Sequence, residues 1–106
     1  MGFAIAQKHL QAEFNKPDFP LLDHKIFVIC GDGCLQEGVT AETSALAGHL
    51  KLGNLILLYD DNSIQIDGST DLAFTEDVLA RYQAYGWHTQ HVPNGDDDVA
   101  ALRAAI

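Results

Sequence analysis

The stretch FVICGDGCLQEGV, residues 27–39, ends an apolar run abruptly on Gly31-Asp32-Gly33 and carries a second acid, Glu37, five residues beyond the first. Extended back to Lys25, the run KIFVIC is rich in β-branched residues and bounded by Asp23-His24 and by Gly31, the pattern of a strand buried on both faces. A carboxylate therefore sits at the bare end of a buried strand. The flanking glycines let the backbone bend there and let a ligand approach closely.

A second run of the same kind, NLILLYDD, covers residues 54–61, and GVTAETSALAGHLKLG between the two reads as a helix. Thr40 is its expected N-cap, Glu42 and Thr43 occupy its first turn, and Gly53 is its expected stop. Its small residues, Ala41, Ser44, Ala45, Ala47 and Gly48, predict close packing against a neighbour. Strands alternating with helices predict an α/β fold with a parallel sheet and helices on both faces. Ligands bind such sheets beyond the carboxyl ends of the strands. Those two ends read CGDG and YDDN.

Upstream, GFAIAQKHLQAEFN from Gly2 to Asn15 places Phe3, Leu10 and Phe14 at helical spacing, and Pro17 and Pro20 end the pattern. Downstream, NSIQIDGST is a turn-rich loop, and Thr75 is the expected cap of a helix, EDVLARYQAYG, with Val78, Leu79, Tyr82 and Tyr85 on one face. WHTQHV, residues 87–92, reads as a third strand, Pro93-Asn94-Gly95 as a turn, and Asp96 to Asp98 as the acidic opening of a last helix, VAALRAAI. Trp87 and the Tyr82 and Tyr85 pair read as core.

With 106 residues, 47% of them hydrophobic, the chain suits one domain or part of one. Six basic residues against fifteen acidic ones leave a net charge of −9, which argues against a nucleic-acid partner. No apolar run is long enough to span a membrane, and the N-terminus lacks the layout of a signal peptide. Cys30 and Cys34, with three residues between them, fit neither a metal knuckle nor a disulfide framework and read as reduced thiols, as in a cytoplasmic protein.

Asp32 follows one strand and Asn62 the next, so the two can converge at the sheet's edge. One carboxylate and one amide oxygen make a poor cage for calcium but suit Mg²⁺, which keeps water and shares its octahedron with phosphates. The implied ligand is a Mg²⁺–diphosphate compound. Its phosphate oxygens would meet backbone N–H groups where the glycine turn opens a helix. His88 and His91 would alternate across a strand and form no metal pair. An EF-hand loop starting at Asp60 would need glycine where Gln65 stands.

Gly31-Asp32-Gly33 followed after 28 residues by Asn62 resembles the thiamine diphosphate motif of a large enzyme superfamily. The strings GDGCLQEGV, SALAGHLKLGNLI and YDDNSIQIDG are similar to transketolase, over nearly the whole chain. The resemblance implies a part of a thiamine-diphosphate-binding domain, with thiamine diphosphate and Mg²⁺ as cofactors. It implies Asp32 and Asn62 as side-chain Mg²⁺ ligands and Ile64 as a backbone-carbonyl ligand. It also implies Gly31 and Gly33 at the diphosphate, Ile66 against the thiazolium ring, and Glu37 and Glu42 in an acid network across a homodimer interface. The implied reaction passes a two-carbon glycolaldehyde unit from a ketose phosphate to an aldose phosphate, with the activating glutamate and the sugar-phosphate-binding residues outside these 106 positions. By itself the chain is expected to be inactive. Dihydroxyacetone synthase shares much of this pattern, and a non-catalytic module is the alternative of a different class.

Overall fold

A computed structural model describes residues 1–106. The elements in chain order are α1 (Gly2–Phe14), β1 (Ile26–Gly31), α2 (Asp32–Leu35), α3 (Gly38–His49), β2 (Leu55–Asp60), β3 (Ile64–Gln65), β4 (Gly68–Ser69), α4 (Val78–Ala84) and α5 (Val99–Ala105), with a 3-10 turn at Thr70–Leu72. The two apolar runs form the expected parallel pair, in register from Ile26 opposite Leu55 to Gly31 opposite Asp60. Both strands thus end at the same level, and the Gly31 turn lies beside the acids at the end of β2.

One face of this pair is packed. Leu35 of α2, Ser44 and Ala47 of α3, and Tyr82 of α4 are buried, and together with Val28 and Leu57 they line an apolar cavity of about 280 Å³. The other face is open within this chain: Phe27 is half-exposed and Ile29 is 78% exposed, so β1 is not buried on both sides as its composition predicts.

The small residues of α3 meet the end of α4. A Cβ added at Gly48 would lie 1.9 Å from the Tyr85 carbonyl oxygen, so only glycine permits this approach. Ser44 shares a 3.1 Å hydrogen bond with the Tyr82 hydroxyl, and the Trp87 indole N–H donates to the Ser44 carbonyl at 2.9 Å. Tyr82 stacks edge-on against Tyr85 and Trp87, as core aromatics do.

Both helices end in the same motif. At α4 the Gly86 N–H returns to Gln83 and the Trp87 N–H to Tyr82, with Gly86 at φ +85°. At α3 the Lys51 N–H returns to Gly48 and the Leu52 N–H to Ala47, and Lys51, at φ 53°, takes the left-handed place. The helix therefore stops before Gly53, the residue expected to stop it. The expected caps move as well. Glu37 precedes α3, while the Thr40 hydroxyl donates to the Cys34 carbonyl, and Asp77 rather than Thr75 caps α4 by accepting from the Ala80 N–H at 2.9 Å. Asp98 caps α5 within the acidic opening that was expected.

Residues 87–92 form no strand. Neither edge of the β1–β2 pair takes them up, and an extended segment without a ladder partner has no sheet to belong to. In α1 the inward face is Ala4 and Gln7, not the apolar set, and Phe3 is 80% exposed. Buried Asn54, just before β2, explains this by donating to the Ala4 carbonyl and to Gln7 Oε1.

Candidate functional site

The site forms where β1 and β2 end. The chain leaves Gly31 directly into the one-turn helix α2, which carries Asp32 and Gly33 in its first turn. Backbone N–H groups in a first turn have no acceptor within the helix. Arg81 braces the far end of α2 by donating to the Leu35 carbonyl at 3.2 Å.

Asp32 is 2% exposed. Its Oδ1 accepts from the Tyr59 hydroxyl, whereas Oδ2 is buried with no hydrogen-bond partner. A buried carboxylate oxygen left without a donor is costly, by about 1–3 kcal/mol or more for a charged group. The same tyrosine oxygen lies 3.2 Å from Asp61 Oδ1. Burial, and then the bond to Asp32, push the Tyr59 hydroxyl well above the ordinary tyrosine range, so it remains a donor.

Asn62 is fixed on the neighbouring strand end. Its Oδ1 accepts from the Ile64 N–H at 3.0 Å, an Asx turn, and its amide donates to Asp60 Oδ2 at 3.0 Å. Asp32, Asp60 and Asp61 thus gather near one edge, and no basic side chain pairs with them, since the ion pair in the chain is Arg81 with Glu76. No cluster of three or more His, Cys, Asp or Glu side chains has metal-binding geometry. A hard-oxygen site here must therefore combine carboxylate, amide and backbone oxygens with those of a ligand.

Beyond Asn62 the chain turns back in the β3–β4 hairpin, Ile64 opposite Ser69 and Gln65 opposite Gly68. Its two-residue loop begins with Ile66 at φ 53°, where such hairpins usually carry glycine. Ile66 is fully exposed. A β-branched residue in left-handed backbone stores strain of about 1–3 kcal/mol, a cost found mostly at ligand sites. In the sequence the turn shows only as the Asp67-Gly68 pair within a turn-rich loop.

Gln36 Nε2 donates to Gln65 Oε1 and ties α2 to the hairpin. Between them lies an open cleft of about 400 Å³ lined by Gly33, Cys34, Gln36, Glu37, Gln65 and Ile66. The structure thereby brings Gly33, Glu37 and Ile66 to one cleft and sets the ends carrying Asp32 and Asn62 side by side. Glu42 is exposed on α3 and lines neither the cleft nor the strand-end cluster. Cys30 and Cys34 are free thiols, and burial pushes the Cys30 thiol up to about 11. His88 and His91 are exposed and join no site. Tyr59 and Gln36 are the site residues that sequence reasoning missed, because neither type marks a metal or phosphate motif.

Residues 1–106 match the family described as transketolase, thiamine diphosphate binding domain. The chain is 58% identical over its whole length to a transketolase from Scheffersomyces stipitis and 57% identical to transketolase 1 of Saccharomyces cerevisiae, and spans 16% of the length of each. Among solved structures it resembles a transketolase from Pichia stipitis in complex with sedoheptulose 7-phosphate, with a TM-score of 0.95 at 59% identity over 98% of this chain and 15% of that one. Transketolase from Leishmania mexicana gives a TM-score of 0.95 at 54% identity, over 98% of this chain and 16% of that one.

Proposed function

The chain belongs to the transketolase family, by its thiamine diphosphate binding domain, and from that membership we propose that its strand-end site holds the diphosphate of thiamine diphosphate through Mg²⁺. The observation that carries the reading is Asp32, a buried carboxylate with one oxygen satisfied and the other unpartnered, set among acids that no basic residue neutralises. A divalent cation would supply both the missing partner and the missing charge. The donors are hard oxygens, which suits Mg²⁺.

Asp32 and Asn62 are the side-chain ligands in this reading and the Ile64 carbonyl the third. Asn62 Oδ1 has a second lone pair beyond the one that accepts from Ile64. Gly31 turns the chain, and Gly33 offers its N–H to the diphosphate. Exposed, strained Ile66 supplies an apolar wall for the thiazolium ring. When bound, thiamine diphosphate supplies the carbon nucleophile by which a two-carbon unit leaves a ketose phosphate and reaches an aldose phosphate. The residues of this chain anchor and orient it, a positioning role.

The chain is one segment of a larger diphosphate-binding domain in a homodimeric enzyme of sugar-phosphate metabolism, such as the pentose phosphate pathway or the Calvin cycle. Glu37 at the rim and Glu42 on α3 belong to an acid network at the subunit interface. Free thiols at Cys30 and Cys34 accord with a reducing compartment such as the cytoplasm.

Equilibrium binding of thiamine diphosphate to the full-length protein, with and without Mg²⁺, tests the site. Asp32→Ala is expected to weaken Mg²⁺-dependent binding by about 100-fold or more, with the fold retained by circular dichroism. Unchanged binding in a folded Asp32→Ala protein would remove Asp32 from the ligand set. A full-length protein that takes up neither metal nor thiamine diphosphate would leave the non-catalytic module.

A further inference from the structure

We infer that Arg81 is a positioning residue that holds the two halves of the strand-end site in one frame, so that affinity for thiamine diphosphate depends on it. The inference rests on the reading of that site as the place of the Mg²⁺–diphosphate group. Its halves arrive on separate pieces of chain, Asp32 and Gly33 on α2, Asn62 and Ile64 at the base of the β3–β4 hairpin. Arg81 lies on α4, outside both.

The first link is to α2. A helix of one turn has no N–H of its own for its last carbonyls. The Thr40 hydroxyl donates to the Cys34 carbonyl at 2.7 Å, and Arg81 Nη2 to the carbonyl of buried Leu35 at 3.2 Å. The second link is to the hairpin. The guanidinium carbon lies 5.9 Å from the centre of the Phe74 ring, within cation-π range. The Phe74 N–H donates to the carbonyl of buried Thr70 at 2.7 Å, and the Thr70 N–H to the Ser63 carbonyl at 3.0 Å. Ser63 stands between Asn62 and Ile64. One side chain thus reaches α2 directly and the turn from Asn62 to Ile64 through Phe74 and Thr70.

Stability alone accounts poorly for an arginine here. Its Nε is buried without an acceptor, which costs free energy, and Glu76, 2.8 Å from Nη1, is half-exposed. Apolar side chains often replace such pairs without loss of stability. They cannot supply the two directed contacts, to the Leu35 carbonyl and to the face of Phe74. Arg81 touches neither metal nor diphosphate and acts through α2 and the hairpin.

The test uses the full-length protein with three substitutions. Arg81→Met keeps length and apolar packing, Phe74→Leu removes the ring and leaves the bond to Leu35, and Glu76→Gln removes only the ion pair. Thiamine diphosphate is titrated by calorimetry at saturating Mg²⁺, and the cofactor-free proteins are unfolded by heat. We expect Arg81→Met to weaken binding about 10-fold, the lower end for loss of a residue that orients ligands. Phe74→Leu should weaken it about 3-fold, the worth of one cation-π contact, and Glu76→Gln should bind as the wild type. The unfolding temperature of Arg81→Met should stay near that of the wild type, since the unpartnered Nε is removed along with the bonds. Wild-type affinity in folded Arg81→Met, whatever its unfolding temperature, would reduce Arg81 to a stabilising residue and overturn the inference. So would a loss in Glu76→Gln equal to that in Arg81→Met. Should Arg81→Met not fold, Phe74→Leu decides alone, and wild-type affinity there overturns the tie. Absence of Mg²⁺-dependent binding in the wild type, or wild-type binding by folded Asp32→Ala, would instead overturn the reading of the site.

Discussion

Gly48 and Asp32 show how differently single residues announce themselves. The run of small residues around Gly48 is legible as a contact face, but its partner, the Tyr85 carbonyl, lies beyond a strand and a hairpin. Gly48→Ala forces either α3 or the end of α4 to move, because the obstruction is backbone and not a flexible side chain. We expect a loss of about 1–3 kcal/mol in stability, measured by urea unfolding of the protein, and a wild-type midpoint would contradict the close approach. Asp32 was singled out by its flanking glycines together with Asn62 at the next strand end. Its partner Tyr59 was not, since an apolar strand ending in tyrosine looks like any buried strand. Ile66 was singled out only through resemblance, for no pattern predicts isoleucine at positive φ.

At the scale of elements, hydrophobic runs identified β1 and β2, and the helix between them dictated their parallel pairing. Three other elements departed from the reading for separate reasons. The one-turn helix α2 is too short for periodicity to register. The segment at residues 87–92 has strand composition but no ladder partner in the chain. Helix α1 turns its apolar positions outward because buried amide contacts from Asn54 to Ala4 and Gln7 hold the opposite face. Caps shifted by two or three residues, as they do when several acids and threonines compete. Asp77→Ala removes the acceptor for the Ala80 N–H and should cost about 1 kcal/mol. Thermal unfolding checks it, and a parallel Thr75→Ala change should cost less.

The molecule as a whole is more extended than its length suggests. A compact domain of this size has a radius of gyration of about 13 Å, whereas the chain measures 15.8 Å with axes of 52, 32 and 23 Å. Only 9 of 106 residues are buried, and Phe3, Ile29 and Leu72 stand out from the surface. Apolar exposure on this scale marks surfaces that belong against other protein. The polypeptide of residues 1–106 produced alone is therefore expected to self-associate, with weight-average mass rising with concentration in sedimentation experiments. A monomer at every concentration, unfolding in one sharp transition, would contradict this. Family strings and the strand-end motif were legible without these surfaces, because a motif is local while nothing within residues 1–106 covers β1's open face.

The bond between Gln36 and Gln65 spans the cleft alone between α2 and the hairpin. One exposed neutral hydrogen bond contributes only about 1 kcal/mol, so thermal motion leaves it broken roughly a sixth of the time. Side-chain rearrangements of this kind take nanoseconds or less, far shorter than the wait for a diffusing ligand. The rim is thus a latch without a lock: arrival at the cleft is limited by encounter and never by the opening of the door.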